Sequence, residues 1–124
     1  MKTLLQLEEA AQLAFAIWVL HYQPVHFVWW VWPLLFLAPD ISMVGYLINS
    51  RVGAALYNLA HHKAVALVLI VIGLKLSAGL FVAGVILYGH SSMDRIMGYG
   101  LKYNDAFGHT HLGMIGKDRN EPMT

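Results

Sequence analysis

His90 and Asp94 stand four residues apart, and Asn58 stands three residues before His61 and four before His62. On a helix such spacings put side chains on one face, so His90 and Asp94 can reach a common ligand or each other, and Tyr57 and His61 pair in the same way. Imidazole and carboxylate are donors suited to zinc, iron, manganese or nickel. Helix bundles assemble such sites from inward-facing side chains, with an i, i+3 or i, i+4 pair supplying two at once. The chain has no cysteine, which excludes thiolate zinc sites, iron–sulfur clusters and disulfides. The expected ligands to a divalent ion, zinc first, are Asp40, His61, His90 and Asp94, joined by His111 if the C-terminal tail folds back.

An ion held there would bring the pKa of bound water towards about 7 and so provide a nucleophile at neutral pH. Glu8 is then the expected general base, with Asn58 beside the ligands and Arg95 or Lys102 neutralising a phosphate or a developing oxyanion. Competing readings use the same residues. Polar groups in membrane helices also serve as interhelical hydrogen bonds of about 0.6 kcal/mol each. Asp40 follows Pro39 and is placed to cap a new helical segment instead of binding metal. His61 and His90 would also suit the axial positions of a b-type haem, although Asp94, one turn from His90, fits an apolar haem pocket poorly. His21 and His26 flank a turn and read as solvated, and His62 and Lys63, adjacent to His61, must point elsewhere around the helix, at least one of them as a spectator.

These residues are set in an unusually apolar chain. Of 124 residues, 58% are hydrophobic and only 12% are charged, whereas a soluble domain carries about a quarter charged residues. Mean hydropathy is +0.57. Apolar stretches run from Leu7 to Tyr22, Val25 to Ile48, Val52 to Leu74 and Leu76 to Met97, each near the ~20 residues that span a bilayer. The expectation is an all-α fold, a four-helix transmembrane bundle over residues 1–98, with a Gly-rich tail over 99–124. A single Lys2 followed closely by Glu8 and Glu9 makes a poor signal peptide, so the first helix is expected in the mature protein. The net charge of +1 and the scattered basic residues argue against nucleic-acid binding.

Orientation follows from Lys and Arg. With both termini inside, Lys2, Arg51, Arg95, Lys102, Lys117 and Arg119 fall on the cytoplasmic side, as does Lys63 if its stem reaches that interface. Only Lys75 then lies outside, so the predicted topology is N-in and C-in, with Trp29, Trp30 and Trp32 at the outer interface. In that arrangement Glu8, Asp40, Asn58, His61, His90 and Asp94 all lie in the cytoplasmic leaflet. Ionisable residues inside a membrane are costly and point to function. Pro39 should kink or break the second helix and free the Leu35 carbonyl. Beyond residue 98, Gly98, Gly100, Gly108, Gly113 and Gly116 preclude a long helix, and His109 and His111 can reach one ion only from an extended loop.

Leu37-Ala38-Pro39-Asp40, Gly53-Ala54-Ala55-Leu56-Tyr57-Asn58 with His61, His90 with Asp94-Arg95, Gly98-Tyr99-Gly100-Leu101-Lys102-Tyr103 and Thr110-His111-Leu112-Gly113 carry a resemblance over nearly the whole chain. The sequence resembles an uncharacterised family of small bacterial integral membrane proteins, catalogued as a domain of unknown function. The resemblance implies a membrane protein and lends no activity. A slighter one, through Pro39-Asp40 and Thr110-His111, is to inner-membrane proteins assigned as metal-dependent hydrolases. Their second aspartate is Ser42 here and their histidine-arginine lead-in is absent, so that likeness stands as analogy.

The function expected is therefore a multi-pass protein of the bacterial inner membrane, a metal-dependent hydrolase acting on a lipid or amphiphile from the cytoplasmic side. The alternatives are a non-catalytic membrane scaffold or partner subunit and, third, the haem protein. The expected partners are the lipid bilayer and, if four helices do not close the site alone, a second copy of the chain.

Overall fold

Twenty residues without glycine or proline form the first helix, α1 (Lys2–His21). In the computed structural model, residues 2–23, 27–102 and 109–114 are described. The second apolar stretch is broken: α2 (Val31–Leu37) passes into a 3₁₀ helix over Ala38–Leu47. Pro39 explains the change, because it lacks the N–H that would continue the α ladder. The carbonyl of Leu35, which proline would strand, accepts the N–H of Ala38 instead, and Ser42 Oγ donates to the Pro39 carbonyl at 2.8 Å. The i→i+3 pattern then continues far beyond the three or four residues usual for such a helix.

Asn49 starts α3 (Ser50–His61) by accepting the Val52 N–H on its side chain at 2.8 Å. The third stretch was expected to be continuous, yet it divides at His62, which is extended and whose Nδ1 accepts the Ala64 N–H at 3.1 Å. Helix α4 (Lys63–Leu76) therefore leaves α3 at an angle of 47°. Ser77 caps α5 (Ala78–Ile96) by accepting the Gly79 N–H at 3.1 Å. Gly98, at φ 90°, ends it. There the Tyr99 N–H reaches the Asp94 carbonyl at 2.7 Å and the Gly98 N–H that of Arg95 at 3.2 Å, the two bonds of a Schellman cap.

Small residues let these helices approach closely. A Cβ on Gly84 would sit 2.8 Å from the Ile70 nitrogen and 2.9 Å from the Ala66 carbonyl, and one on Gly45 would sit 2.9 Å from the Val52 carbonyl. The first contact joins α4 to α5 and the second joins the 3₁₀ helix to α3. Helix α1 runs antiparallel along α5, with Gln6 Nε2 donating to the Ile96 carbonyl at 2.9 Å. Lys63 pairs with Glu9 and donates to Gln12, which also accepts the Tyr88 hydroxyl at 2.8 Å. This polar knot ties α1 to α4 and α5.

The all-helical class stands, but the element pattern corrects the expected four continuous spans. Among the described residues only α1 is by itself long and apolar enough to cross a membrane, and α3 with α4 qualifies as a bent pair. Nor is the described part of the tail featureless. Strands β1 (His109–Thr110) and β2 (Gly113–Met114) pair antiparallel, and a bridge joins Lys102 to Thr110. The buried interior is mixed, with Ala16, Ala54, Tyr57, Ala66, Val82, Val85 and Ile86 beside polar groups. His61, His90, Ser91, Ser92, Asp94 and Thr110 are buried, while Leu47, Trp29 and Ile41 are 85%, 78% and 72% exposed.

Candidate metal centre

Three elements deliver four side chains to one point. The 3₁₀ helix brings Asp40, α3 brings His61 at its last residue, and α5 brings His90 and Asp94 one turn apart. One ligand atom from each lies within 4.8 Å of every other. Nε2 of His61 is 3.3 Å from Asp40 Oδ1 and 3.3 Å from Asp94 Oδ2. Nε2 of His90 is 3.0 Å from the same Asp40 oxygen and 3.3 Å from the same Asp94 oxygen. Two nitrogens and two oxygens thus alternate around a small ring.

The far side of each imidazole decides what this ring means. Nδ1 of His61 lies 2.8 Å from the Tyr57 carbonyl, and Nδ1 of His90 lies 2.7 Å from the Phe36 carbonyl. A carbonyl only accepts, so Nδ1 carries the proton in each ring. In the neutral imidazoles both Nε2 lone pairs then face carboxylate lone pairs. Electron-rich atoms at that separation repel unless a cation or shared protons lie between them. Backbone carbonyls that hold the outer ring nitrogen are the usual means by which ligating histidines are oriented.

A further layer supports the ring. The Tyr57 hydroxyl donates to Asp94 Oδ2 at 3.2 Å while its ring stacks on His61, with centroids 3.8 Å apart and planes 9° from parallel. Ser91 Oγ donates to the His61 carbonyl at 2.9 Å. Lys102 Nζ lies over the Tyr57 ring, 4.6 Å from its centroid. Burial holds the Lys102 ammonium below its ordinary pKa, against the pull of Asp94 and Asp40 in the other direction. The side chains of His61, His90 and Asp94 are all less than a tenth exposed, but that of Asp40 is 37% exposed. The centre therefore opens on the Asp40 side.

The remaining expected site residues take other places. Asn58 clamps the backbone of Lys102, accepting its N–H at 2.7 Å and donating to its carbonyl at 2.8 Å. His111 is not among the four convergent groups: its Nδ1 accepts the Leu101 N–H at 2.8 Å, and its own N–H returns to the Leu101 carbonyl at 2.9 Å. Arg95 lines a narrow crevice with His61 and Asp94. Glu8 is exposed on α1, outside the cluster. Asp40 faces the imidazoles with its Oδ1, which favours the ligand reading over the cap. For the haem reading, the His61 and His90 ring centroids are only 4.9 Å apart, and both carboxylates occupy the gap a porphyrin would need.

Tyr57, Ser91 and the Phe36 carbonyl were not expected as supports. Tyr57 had a signal, the i, i+4 spacing to His61, and the adjacent Ser91 and Ser92 beside His90 offered a second. Nothing in the sequence marks Phe36, whose role belongs to its backbone.

Residues 2–115 match the family model described as Domain of unknown function (DUF4260), and the chain belongs to that family. No curated protein and no solved structure matches it.

Proposed function

We propose that this member of the family is an integral membrane protein of the bacterial inner membrane that holds one divalent ion, zinc first, at Asp40, His61, His90 and Asp94, and hydrolyses a lipid or other amphiphile from the cytoplasmic side. The observation that carries the metal is the tethering of both Nδ1 atoms to carbonyls, which leaves two lone pairs and two carboxylates aimed at each other.

The exposed apolar faces support the bilayer. Large apolar side chains are exposed along α1, α2, the 3₁₀ helix and α4, including Phe15, Trp18, Leu34, Val44 and Val71. Soluble monomers rarely leave apolar patches beyond a few hundred Å² uncovered. Close packing through Gly45, Gly73 and Gly84 is the small-residue packing by which membrane helices associate. Gln6, Glu9 and Lys63 of the polar knot, the Asn58 clamp and the candidate metal centre are all expected in the cytoplasmic half.

A bound ion would supply activated water and polarise the substrate. The chain's own residues do the rest. Asp40, whose side chain is 37% exposed, would hold the ion through Oδ1, which faces the imidazoles, and would offer its other oxygen to the proton of incoming water, taking the role first expected of Glu8. Tyr57 holds Asp94 in place. Arg95 and Lys102 supply positive charge beside the centre for an anionic headgroup.

Elemental analysis of the detergent-purified protein tests the reading, with His90→Ala as the control. About one transition-metal ion per chain, lost in the variant, is the expected result. A metal-free wild-type protein that takes up no added zinc would leave a proton-sharing knot, and with it the non-catalytic scaffold.

A further inference from the structure

A cavity of about 530 Å³ lies between the C-terminal half of α1 and α2, within the size range of small-molecule sites. Ile17, Leu20, Phe27, Trp32, Pro33 and Phe36 line it. Among the described lining residues the polar side-chain groups are those of His21 and Gln23 and the Trp32 indole N–H, and Gln23 Nε2 already donates to the Val19 carbonyl at 3.1 Å. A site so poor in donors and acceptors recognises shape and apolar surface, not a polar solute. Phe36 connects it to the metal centre. Its ring lines the cavity and packs 6.0 Å from the His90 ring, while its carbonyl holds His90 Nδ1 at 2.7 Å.

We infer that this cavity seats a single hydrocarbon chain of an amphiphile, lodged against Phe36, the residue it shares with the support of the candidate metal centre. The assignment of that chain to the substrate rests on the hydrolase reading, but the seat itself does not. Apolar occupancy follows from the lining. One chain follows from the size, which is modest beside the extended apolar faces that ordinary bilayer lipids would coat.

The test uses the full-length protein in nanodiscs of phosphatidylcholine and phosphatidylglycerol. They carry a trace of phosphatidylcholine with a photoactivatable diazirine on one acyl chain, and the crosslinked peptides are mapped by mass spectrometry. Crosslinks should concentrate on Ile17, Leu20, Phe27 and Trp32, with at least a fivefold excess over Leu67, Val68 and Val71 on the exposed face of α4. Unlabelled palmitate should compete at the first group and not at the second. Leu20→Trp, which fills the cavity, should remove the excess. Even labelling of all apolar faces, or labelling that palmitate does not displace, overturns the inference, and this comparison needs no variant to fold. Metal content measured on the same sample separates the two ideas. Focused labelling in a metal-free protein keeps the chain site and removes the hydrolase reading, whereas dispersed labelling in a metal-loaded protein does the reverse.

Discussion

His90 and Asp40, fifty positions apart in the chain, meet with Nε2 3.0 Å from Oδ1, and the opposite nitrogen of the same ring is held by the carbonyl of Phe36, four residues before Asp40. The turn that supplies the carboxylate therefore also orients the imidazole that meets it. A shift of the α2 to 3₁₀ junction would disturb both donors together. That coupling makes the Pro39 break part of the centre's construction and not an incidental kink.

His90→Ala removes one donor and the Phe36 tether at once. Loss of an outer-shell partner alone weakens metal binding about 10–100-fold, so the loss here should exceed about 100-fold. Zinc titration of the purified variant by calorimetry, beside the wild type, reads this directly. A variant that retained full affinity would show that the alternating ring of nitrogen and oxygen atoms is not a metal centre.

Tyr57→Phe is a milder change, because the ring that stacks on His61 stays and only the hydroxyl donor to Asp94 goes. The expected cost is about tenfold in metal affinity and about 1 kcal/mol in stability from the lost hydrogen bond. Helicity should be unchanged. Unaltered affinity in a folded Tyr57→Phe protein would mean that Asp94 is positioned by α5 alone.

Glu8→Gln separates the sequence expectation from the structure. Because Glu8 is exposed and outside the four-residue cluster, the substitution should leave metal content and any hydrolytic turnover within about twofold of wild type, as is usual for surface changes. Asp40→Asn should abolish both. The reverse result would return the base to α1.

These contrasts show which parts of the fold were legible. The i, i+4 pair His90 and Asp94 is a local signal and survives into the structure unchanged. Pro39 announced its break because proline's missing N–H acts wherever it stands. The break at His62 was not readable, since a histidine in an apolar run has no fixed tendency to cap, and only the Ala64 contact reveals it. Asn58 has ligand-like spacing, yet its partner is the backbone of Lys102, forty-four residues on. Spacing along a helix places a side chain on a face and cannot say what meets that face. The ten-residue 3₁₀ run that contains Pro39 was unreadable for a related reason: composition sees apolar residues but not the switch in hydrogen-bond pattern.

Gly84→Ala probes the packing of α4 on α5 away from the centre. Its new methyl would press on the Ile70 nitrogen and the Ala66 carbonyl, backbone atoms that cannot turn aside. Overpacking of this kind costs about 1–3 kcal/mol. Thermal unfolding in detergent should show the loss while zinc affinity in the folded protein stays at the wild-type value. A neutral substitution would mean that the two helices separate easily and that the glycine contact is not what holds them.

The tail should respond to acid through His111. Its Nδ1 accepts the Leu101 N–H, a bond only the neutral ring can make. Burial, and to a smaller degree the Arg95 guanidinium, hold its pKa below the ordinary 6.5, with the backbone of Leu101 and, more weakly, Glu9 pulling the other way. The unfolded tail therefore binds the proton more readily than the docked one, and docking is fully favoured above about pH 6.5 and weakens as pH falls towards the lowered value. Amide exchange at Leu101, corrected for its intrinsic pH dependence, should lose protection over that window. In His111→Gln the Leu101 amide should lose this pH dependence, because no titrating ring remains at its acceptor. Protection in the wild type that stayed flat through the window would show that the hairpin is held by the Lys102 and Thr110 bridge and the Asn58 clamp, with the imidazole contributing little.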